Sequence, residues 1–204
     1  MTRNIKTLFC IGGILCCAVA FGKYITSPYP REPDAVISAA EVAPYLQDGD
    51  IICRLGDRIW SAYFRDMSPT DRRFSHLGIV RIREGNVSVI HAEAWTERQE
   101  GVNEVSLEDF LELALTVGIY RANFIEGAVL SDSAVEYIGR PFDWSFDLND
   151  ESKIYCTELL YVILKRVAPE ITLPTQYIHF IGKEIIPLDA VSKSEDFDEI
   201  IVFP

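Results

Sequence analysis

The chain has 204 residues, of which 49% are apolar and 25% are charged, and its formal net charge at pH 7 is −12. This length supports one domain with a substantial core, and the composition is that of a globular protein rather than a disordered one. The negative charge excludes a nucleic-acid-binding surface, which needs clustered lysines and arginines, and it disfavours non-specific adhesion to anionic lipid.

The first twenty residues have the pattern of an export signal. Arg3 and Lys6 precede an uncharged stretch over residues 7–22, and residues 18–20 (AVA) match a small-residue cleavage site. The stretch is shorter than the roughly 20 apolar residues that a transmembrane helix needs. We therefore expect residues 1–20 to be a cleaved signal peptide, with an uncleaved membrane anchor as the alternative. Either one predicts an exported protein of the periplasm or cell envelope.

The rest of the chain divides into a linker and one domain. Proline-rich residues 21–34 predict a semi-extended linker, and residues 35–204 form the predicted domain. Two cysteines fall in that domain, and the other three lie in the leader: Cys10, Cys16 and Cys17. Cys53 lies in an apolar run and is predicted to be a small buried hydrophobe. No cluster of cysteine and histidine has the spacing of metal ligands, so we expect no metal and no other cofactor.

Apolar periodicity and turn signals predict helices interleaved with a few antiparallel strands. A capping box at residues 38–41 begins a short helix, and a buried strand follows over residues 51–55. The further predicted elements are, in chain order, a helix over 58–66, strands over 77–83 and 87–94, a helix over 106–115, a strand over 117–121, and helices over 131–138 and 156–167. The last helix is the clearest, because its apolar residues share one face and a proline follows its end. This order predicts an α+β fold.

The strongest functional signal is a histidine next to a predicted strand together with a cysteine that opens the last predicted helix. These residues are His76 and Cys156. The first turn of a helix presents unpaired N–H groups, which stabilise a thiolate and can hold an oxyanion during acyl transfer. Gly78, near the histidine, predicts a close approach by another element, such as the end of the helix that carries the cysteine. Taken singly, a helical cysteine is more often a core residue, and a strand histidine is more often structural.

Two residues on the second strand of the predicted hairpin compete to orient the base. Strand alternation places His91 and Glu93 on one face, and either could bond the second ring nitrogen of His76. A solvated carboxylate is the simpler interpretation of Glu93, but alternation alone does not separate the two.

Five segments in a fixed order resemble the YiiX/YebB-like branch of the NlpC/P60 cysteine hydrolases. They are residues 48–52 (DGDII), 74–80 (FSHLGIV), 89–92 (VIHA), 139–143 (GRPFD) and 155–158 (YCTE). The resemblance runs from about residue 49 to residue 167. It implies a circularly permuted papain-like fold, in which the histidine strand precedes the cysteine helix and an antiparallel sheet packs against that helix.

The resemblance also implies roles for individual residues. Cys156 would be the nucleophile, His76 the general base and His91 the third, polar residue, while Tyr155 would line the site and contribute to the oxyanion pocket. YiiX-like members typically carry glutamate at the third position, whereas lecithin-retinol-acyltransferase-like relatives carry histidine, so Glu93 stays an alternative. Three acidic residues of the matching segments are weaker candidates, with a local turn or a helix-start charge as the simpler interpretation: Asp50, Asp143 and Glu158.

The expected function is that of an exported thiol hydrolase that cleaves an amide through a thioester intermediate. The substrate would be a peptide, a cell-wall peptide or a lipid-linked amide, and attachment to a membrane would come only through the N-terminus. The first alternative, favoured by His91, is an acyltransferase or phospholipase of the lecithin-retinol-acyltransferase type. The second is a catalytically silent binding module, which the presence of both Cys156 and His76 disfavours.

Overall fold

A computed structural model of the protein describes residues 37–94, 100–112, 114–179 and 181–204. The predicted signal peptide and linker lie outside these residues, so their boundaries stay predictions. Within the described ranges, no helix is both long enough and apolar enough to cross a membrane.

The fold is built on a six-stranded antiparallel sheet and a separate two-stranded hairpin. The strands are β1 (Ile51–Gly56), β2 (His76–Arg83), β3 (Asn86–Glu93), β4 (Gly101–Ser106), β5 (Ala114–Ala122), β6 (Gln176–Ile178), β7 (Lys183–Ile185) and β8 (Phe197–Phe203). The large sheet has the order β4-β3-β2-β1-β5-β8, and β6 pairs with β7. The helices are α1 (Ala39–Val42), α2 (Ile59–Asp66), α3 (Leu107–Leu111), α4 (Gly127–Val135), α5 (Cys156–Val167) and α6 (Asp189–Ser192), and a 3-10 turn follows α1 over Ala43–Tyr45.

The two faces of the large sheet belong to two separate hydrophobic clusters. Helix α5 packs on one face, where its Leu159 and Leu160 share a cluster with Leu77 of β2. The other face includes Val80 of β2 and Phe110 of α3. Because successive strand residues point to opposite faces, β2 directs Leu77 towards α5 and its neighbours in sequence towards α3. The fold is thus α+β with an antiparallel sheet packed against the cysteine-bearing helix, as predicted.

Several predicted elements match the structure closely. Helix α5 spans the predicted residues, and the capping box of Ser38 and Glu41 is present, with Ser38 N–H donating to Glu41 Oε2 at 3.0 Å. The turn between β2 and β3 uses left-handed backbone at Glu84 (φ 53°) and Gly85 (φ 81°). This is the geometry that suits a tight antiparallel hairpin.

Other predicted boundaries were wrong. The helix predicted over 106–115 ends at Leu111, because the chain enters β5 at Ala114 and pairs there with Gly56. The helix predicted over 131–138 begins earlier and is α4, which starts where Gly127 packs closely against Asp48. Strands β4 and β8, which form the two edges of the sheet, were not predicted.

Candidate active site

Cys156 is the first residue of α5 and is buried, with 5% of its surface exposed. The start of this helix is fixed by Glu158, whose Oε2 accepts the backbone N–H of Tyr155 at 3.1 Å. A glutamate side chain three residues after the N-cap satisfies one of the N–H groups that a helix start leaves unpaired. The sulfur is therefore held at the positive end of the helix, as the sequence predicted.

Burial dominates the protonation of the Cys156 thiol. It raises the pKa of the thiol to about 11, although the backbone amides of Leu77 and Thr157 lower it, and the charge of Glu93 raises it further. The helix start thus acts on the thiol in the expected direction, but it is outweighed by the loss of solvent. At neutral pH the resting enzyme holds a thiol rather than a thiolate, so the sulfur needs a base.

His76 and His91 form a hydrogen-bonded pair on the face of β2 and β3 that packs against Phe110 of α3, whereas α5 packs on the other face. Nε2 of His76 lies 2.8 Å from Nδ1 of His91. The backbone amide of Leu77, which follows His76, faces the sulfur of Cys156. No hydrogen bond joins the sulfur to His76, and Nδ1 of His76 bonds to none of the described residues. When Nε2–H of His76 donates to His91, this Nδ1 keeps the lone pair that a base needs.

Gly78 makes room for the histidine pair rather than for α5. A Cβ at Gly78 would lie 3.1 Å from the Cβ of His91 and would collide with the side chain of Val89. The prediction that Gly78 admits the cysteine helix was therefore wrong. The glycine instead lets His91, on the neighbouring strand, lie across β2 and reach His76.

Both imidazoles are kept neutral by their surroundings. Burial, and then the positive charge of Arg54, lower the pKa of His91 to about 3. The same two causes, together with the neighbouring His91, lower the pKa of His76 well below its usual value. The ring of Phe110 packs against both histidines, with centroid distances of 5.8 Å to His76 and 5.3 Å to His91.

An ion pair between Arg54 and Glu93 lies next to the histidine pair. Nη2 of Arg54 donates to both oxygens of Glu93 at 2.9 and 3.1 Å, and Nη1 donates to the carbonyl of Phe110 at 2.7 Å. Glu93 Oε2 lies 3.5 Å from Nδ1 of His91. Both candidates for the third residue are thus present, with His91 bonded to His76 and Glu93 behind it. Sequence reasoning missed Arg54, although an arginine in an otherwise buried strand is a signal that a partner exists.

An apolar recess opens next to Cys156. Its cavity volume is about 10 Å³, which is room for about one water molecule. It is lined by Cys156 and Thr157 with apolar side chains from four parts of the chain: Phe64, Met67, Phe146, Tyr155, Ile185, Ile186, Pro187 and Leu188. The aromatic residue Trp95 lies outside the described residues.

Tyr155 and Asp143 shape this recess. The hydroxyl of Tyr155 accepts the backbone N–H of Ile186 at 2.8 Å, so its oxygen holds the wall of the recess, and its contribution to an oxyanion pocket stays a prediction. Asp143 is fully buried and accepts the N–H groups of Ser145 and Asp147 at 2.8 and 2.6 Å. These bonds fix the turn that carries Phe146, whose ring lies 5.2 Å from that of Tyr155.

Two of the weaker candidates lie away from the histidines. Asp50 is at the opposite end of β1 from Arg54, where it accepts from Arg121 Nε at 2.7 Å and from the N–H of Gln47 at 2.7 Å. Glu158 is fully buried under the start of α5. The structure therefore brings neither of them to the histidine pair, and it assigns both of them to local folding.

Cys53 is buried and free, as predicted, and Cys156 is also free. The expectation of no metal was based on the absence of a cysteine and histidine cluster with ligand spacing in the sequence. In the fold, one donor atom each from His76, His91 and Glu93 lie within 4.8 Å of one another.

Comparison with known proteins identifies the family. Residues 45–190 match the family described as the permuted papain-like amidase enzyme, YaeF/YiiX, C92 family. The chain belongs to the C92 family. It is therefore a cysteine peptidase or amidase with a permuted papain-like fold, as the five sequence segments predicted.

A solved structure agrees with this fold. The crystal structure of the metalloprotein yiiX from Escherichia coli O157:H7 superposes with a TM-score of 0.63 at 17% sequence identity, covering 76% of this chain and 96% of that one. At that identity the likeness concerns the fold alone. No curated protein sequence matches the chain significantly.

Proposed function

We propose that this C92 enzyme hydrolyses an amide with Cys156 as nucleophile, His76 as general base and His91 as the residue that orients the base. The observation that carries the proposal is the position of the sulfur. It lies at the start of α5 and against the backbone amide of Leu77, the residue that follows His76. The thiol thus lies beside a set of backbone N–H donors and against the residue that follows the proposed base, and the mechanism requires the imidazole of His76 to reach the sulfur during the reaction.

The reaction has two steps, acylation of Cys156 and hydrolysis of the resulting thioester. Nδ1 of His76 takes the thiol proton as the sulfur of Cys156 attacks the carbonyl, and the backbone amides at the start of α5 stabilise the oxyanion. The C–N bond then breaks, the leaving amine takes the proton from His76, and a thioester remains. In the second step, His76 takes a proton from water as the water attacks the thioester, and Cys156 leaves with that proton.

His91 supports the charged form of the base. When Nδ1 of His76 becomes protonated, its Nε2–H donates to Nδ1 of His91, which accepts because His91 is neutral. This bond fixes the ring of His76 in the tautomer that keeps Nδ1 free between turnovers. Glu93 acts through Arg54 and His91 rather than directly on the base.

The apolar walls beside Cys156 favour a substrate whose acyl side carries hydrocarbon, and because the cavity volume is only about 10 Å³ these walls must open to admit it. The lining of the recess, which includes Phe64, Met67 and Phe146, borders Cys156 directly, so the group on the carbonyl side of the amide is the one that reaches it. A lipid-linked amide, or a peptide with an apolar residue before the cleaved bond, suits these walls.

The test compares two cysteines and two histidines. Cys156→Ala should abolish hydrolysis of a fluorogenic amide with an apolar acyl group and iodoacetamide labelling of the peptide that contains residue 156, and His76→Ala should abolish hydrolysis. The matched controls are Cys53→Ala, which changes the other cysteine of the domain, and His179→Ala, which changes the remaining histidine. Unchanged turnover in Cys156→Ala would exclude the mechanism.

A second candidate function uses the same site with another acceptor. The direct bond between His91 and His76 favours it, because histidine at this position is what the lecithin-retinol-acyltransferase-like relatives carry. Such an enzyme would pass the acyl group to an amine instead of water. Incubation with a phospholipid and an amine separates the two functions: an N-acylated product supports transfer, and turnover of the amide alone supports hydrolysis.

We also propose that the enzyme acts outside the cytoplasm, in the periplasm or cell envelope. The support is the signal-like pattern of residues 1–20. Mass spectrometry of the exported protein tests this: an N-terminus close to residue 21 is expected, whereas an intact Met1 would leave the uncleaved anchor.

A further inference from the structure

Three donor atoms converge where the base meets its orienting residue. Nε2 of His76 and Nδ1 of His91 are 2.8 Å apart, Oε2 of Glu93 is 3.5 Å from that same Nδ1, and the three residues offer donors that all lie within 4.8 Å of one another. Ligands of a tetrahedral zinc ion, at about 2.0–2.2 Å from the metal, lie roughly 3.3 Å from each other. The His76–His91 and His91–Glu93 separations fall on either side of that value, so side-chain rotations that also close the third separation bring all three donors to coordinating distances.

The kind of donor selects the kind of ion. Two imidazoles and one carboxylate are the ligands of zinc and of similar divalent transition metals, whereas magnesium and calcium prefer oxygen alone. We propose that His76, His91 and Glu93 form a binding site for a divalent transition-metal ion of the zinc type, and that the bound ion switches the hydrolase off. The inhibitory half of this inference rests on the proposed role of His76 as the base.

The inhibition follows from which nitrogen the metal occupies. An ion on Nε2 of His76 uses the lone pair of that nitrogen, so the proton of the neutral ring moves to Nδ1. Nδ1 then has no lone pair for the thiol of Cys156, and no net proton is released by the ring. The ion also takes the acceptor nitrogen of His91, so the bond that orients the base is lost. A metal at this position therefore blocks proton transfer without touching the sulfur.

The surroundings hold the three donors in place. The ring of Phe110 packs on both imidazoles, and Arg54 fixes the carboxylate of Glu93 through two hydrogen bonds. A carboxylate has about four lone-pair positions, so Oε2 can accept from Arg54 and still bind a metal. The guanidinium charge opposes the ion and limits its affinity, which suits reversible inhibition rather than a permanent structural metal.

Binding is measured apart from catalysis, with Co²⁺ as the probe. The full-length chain carries serine in place of Cys156 and the leader cysteines, so that these thiols do not compete for the metal: Cys156→Ser, Cys10→Ser, Cys16→Ser and Cys17→Ser. Titration with Co²⁺ should give saturable visible absorption with one ion per chain, and Zn²⁺ should displace it.

Matched variants then locate the site. In the same background, Glu93→Gln and His91→Ala should each weaken Co²⁺ binding at least about tenfold. The controls should stay within about twofold of the parent. They are His179→Ala, which changes the remaining histidine, and Glu104→Gln, which breaks the comparable Arg81–Glu104 ion pair of the same sheet. Glu93→Gln keeps the size of the side chain, so it remains informative if His91→Ala fails to fold. Equal binding in Glu93→Gln and the parent, or no saturable binding at millimolar Co²⁺, would overturn the metal site.

Inhibition is read from the alkylation rate of Cys156 by iodoacetamide in the chain that retains this cysteine. Zn²⁺ should slow alkylation, and at least about tenfold more Zn²⁺ should be needed for the same effect in Glu93→Gln. If Co²⁺ binds as expected but Zn²⁺ leaves the rate unchanged, the inhibitory role is overturned. Since binding is scored without turnover, a failure of the proposed amide hydrolysis is distinguishable from a failure of the metal site.

Discussion

Replacing Glu158 by glutamine should remove a large pH dependence from the stability of the fold. The pKa of this carboxyl is raised from 4.5 to about 8, mainly by burial and then by the charges of Asp143, Glu151 and Asp147, while the hydrogen bond from Tyr155 lowers it. Oε1 of Glu158 has no hydrogen-bond partner among the described residues. The folded protein thus keeps Glu158 protonated at neutral pH, whereas the unfolded chain ionises it.

The sign and size of the effect follow from these two pKa values. The stability that protonated Glu158 contributes is complete below about pH 4.5 and is lost as the pH rises to about 8. At about 1.4 kcal/mol per pKa unit the full difference is about 5 kcal/mol, of which about 3.5 kcal/mol falls between pH 5 and pH 8.

The measurement is urea unfolding of the wild type and Glu158→Gln at several pH values from 5 to 8. The free energy of unfolding of the wild type should fall relative to that of the variant by about 3.5 kcal/mol across this range. Glu170→Gln, which changes an exposed carboxylate just after the same helix, is the control and should run parallel to the wild type. A relative change below about 1 kcal/mol would show that Glu158 is ionised in the folded protein.

Three other substitutions test separate parts of the structure. Arg54→Met removes a charge that lowers the pKa of His76, so the acid limb of the pH–rate profile should move to higher pH; an unmoved limb would contradict the proposed base. Gly49→Ala, whose Cβ would collide with the backbone of α4, should destabilise the fold by roughly 3 kcal/mol or more in thermal unfolding. Gly85→Ala, which has the same φ but open space, should cost only about 1 kcal/mol. Phe64→Ala should raise KM roughly tenfold for an apolar acyl amide and less than about twofold for an acetyl amide, and equal changes would place the acyl group elsewhere.

The parts of the fold that were predicted correctly are those whose signals are local. Helix α5 carries its apolar face and its acidic first turn within twelve residues, and the turn at Glu84 and Gly85 joins strands that are adjacent in sequence. The edge strands were missed because their signals are not local. Strand β8 has only one buried residue, Phe197, and it is recognisable as a strand only through its pairing with the distant β5.

The features of the site also differ in whether their sequence signals are local. His76 and Cys156 were proposed because each lies at a recognisable position on its own element, and their catalytic roles stay predictions. The recess was not predicted, because its walls come from four separate segments. The choice between His91 and Glu93 could not be made from alternation, since both side chains lie on one face. His91 reaches His76 across Gly78, which has no side chain to block the contact, and only the structure shows this arrangement.

The order of the elements along the chain also sets the order in which the enzyme is assembled. During synthesis the ribosome releases β1, β2 and β3, with both histidines, well before α5 emerges with its thiol. Translation at about 5–20 residues per second leaves the sheet face that α5 will cover open to water for several seconds. A nascent chain therefore has no complete catalytic apparatus. It must also keep an uncovered apolar surface from aggregating until the nucleophile arrives.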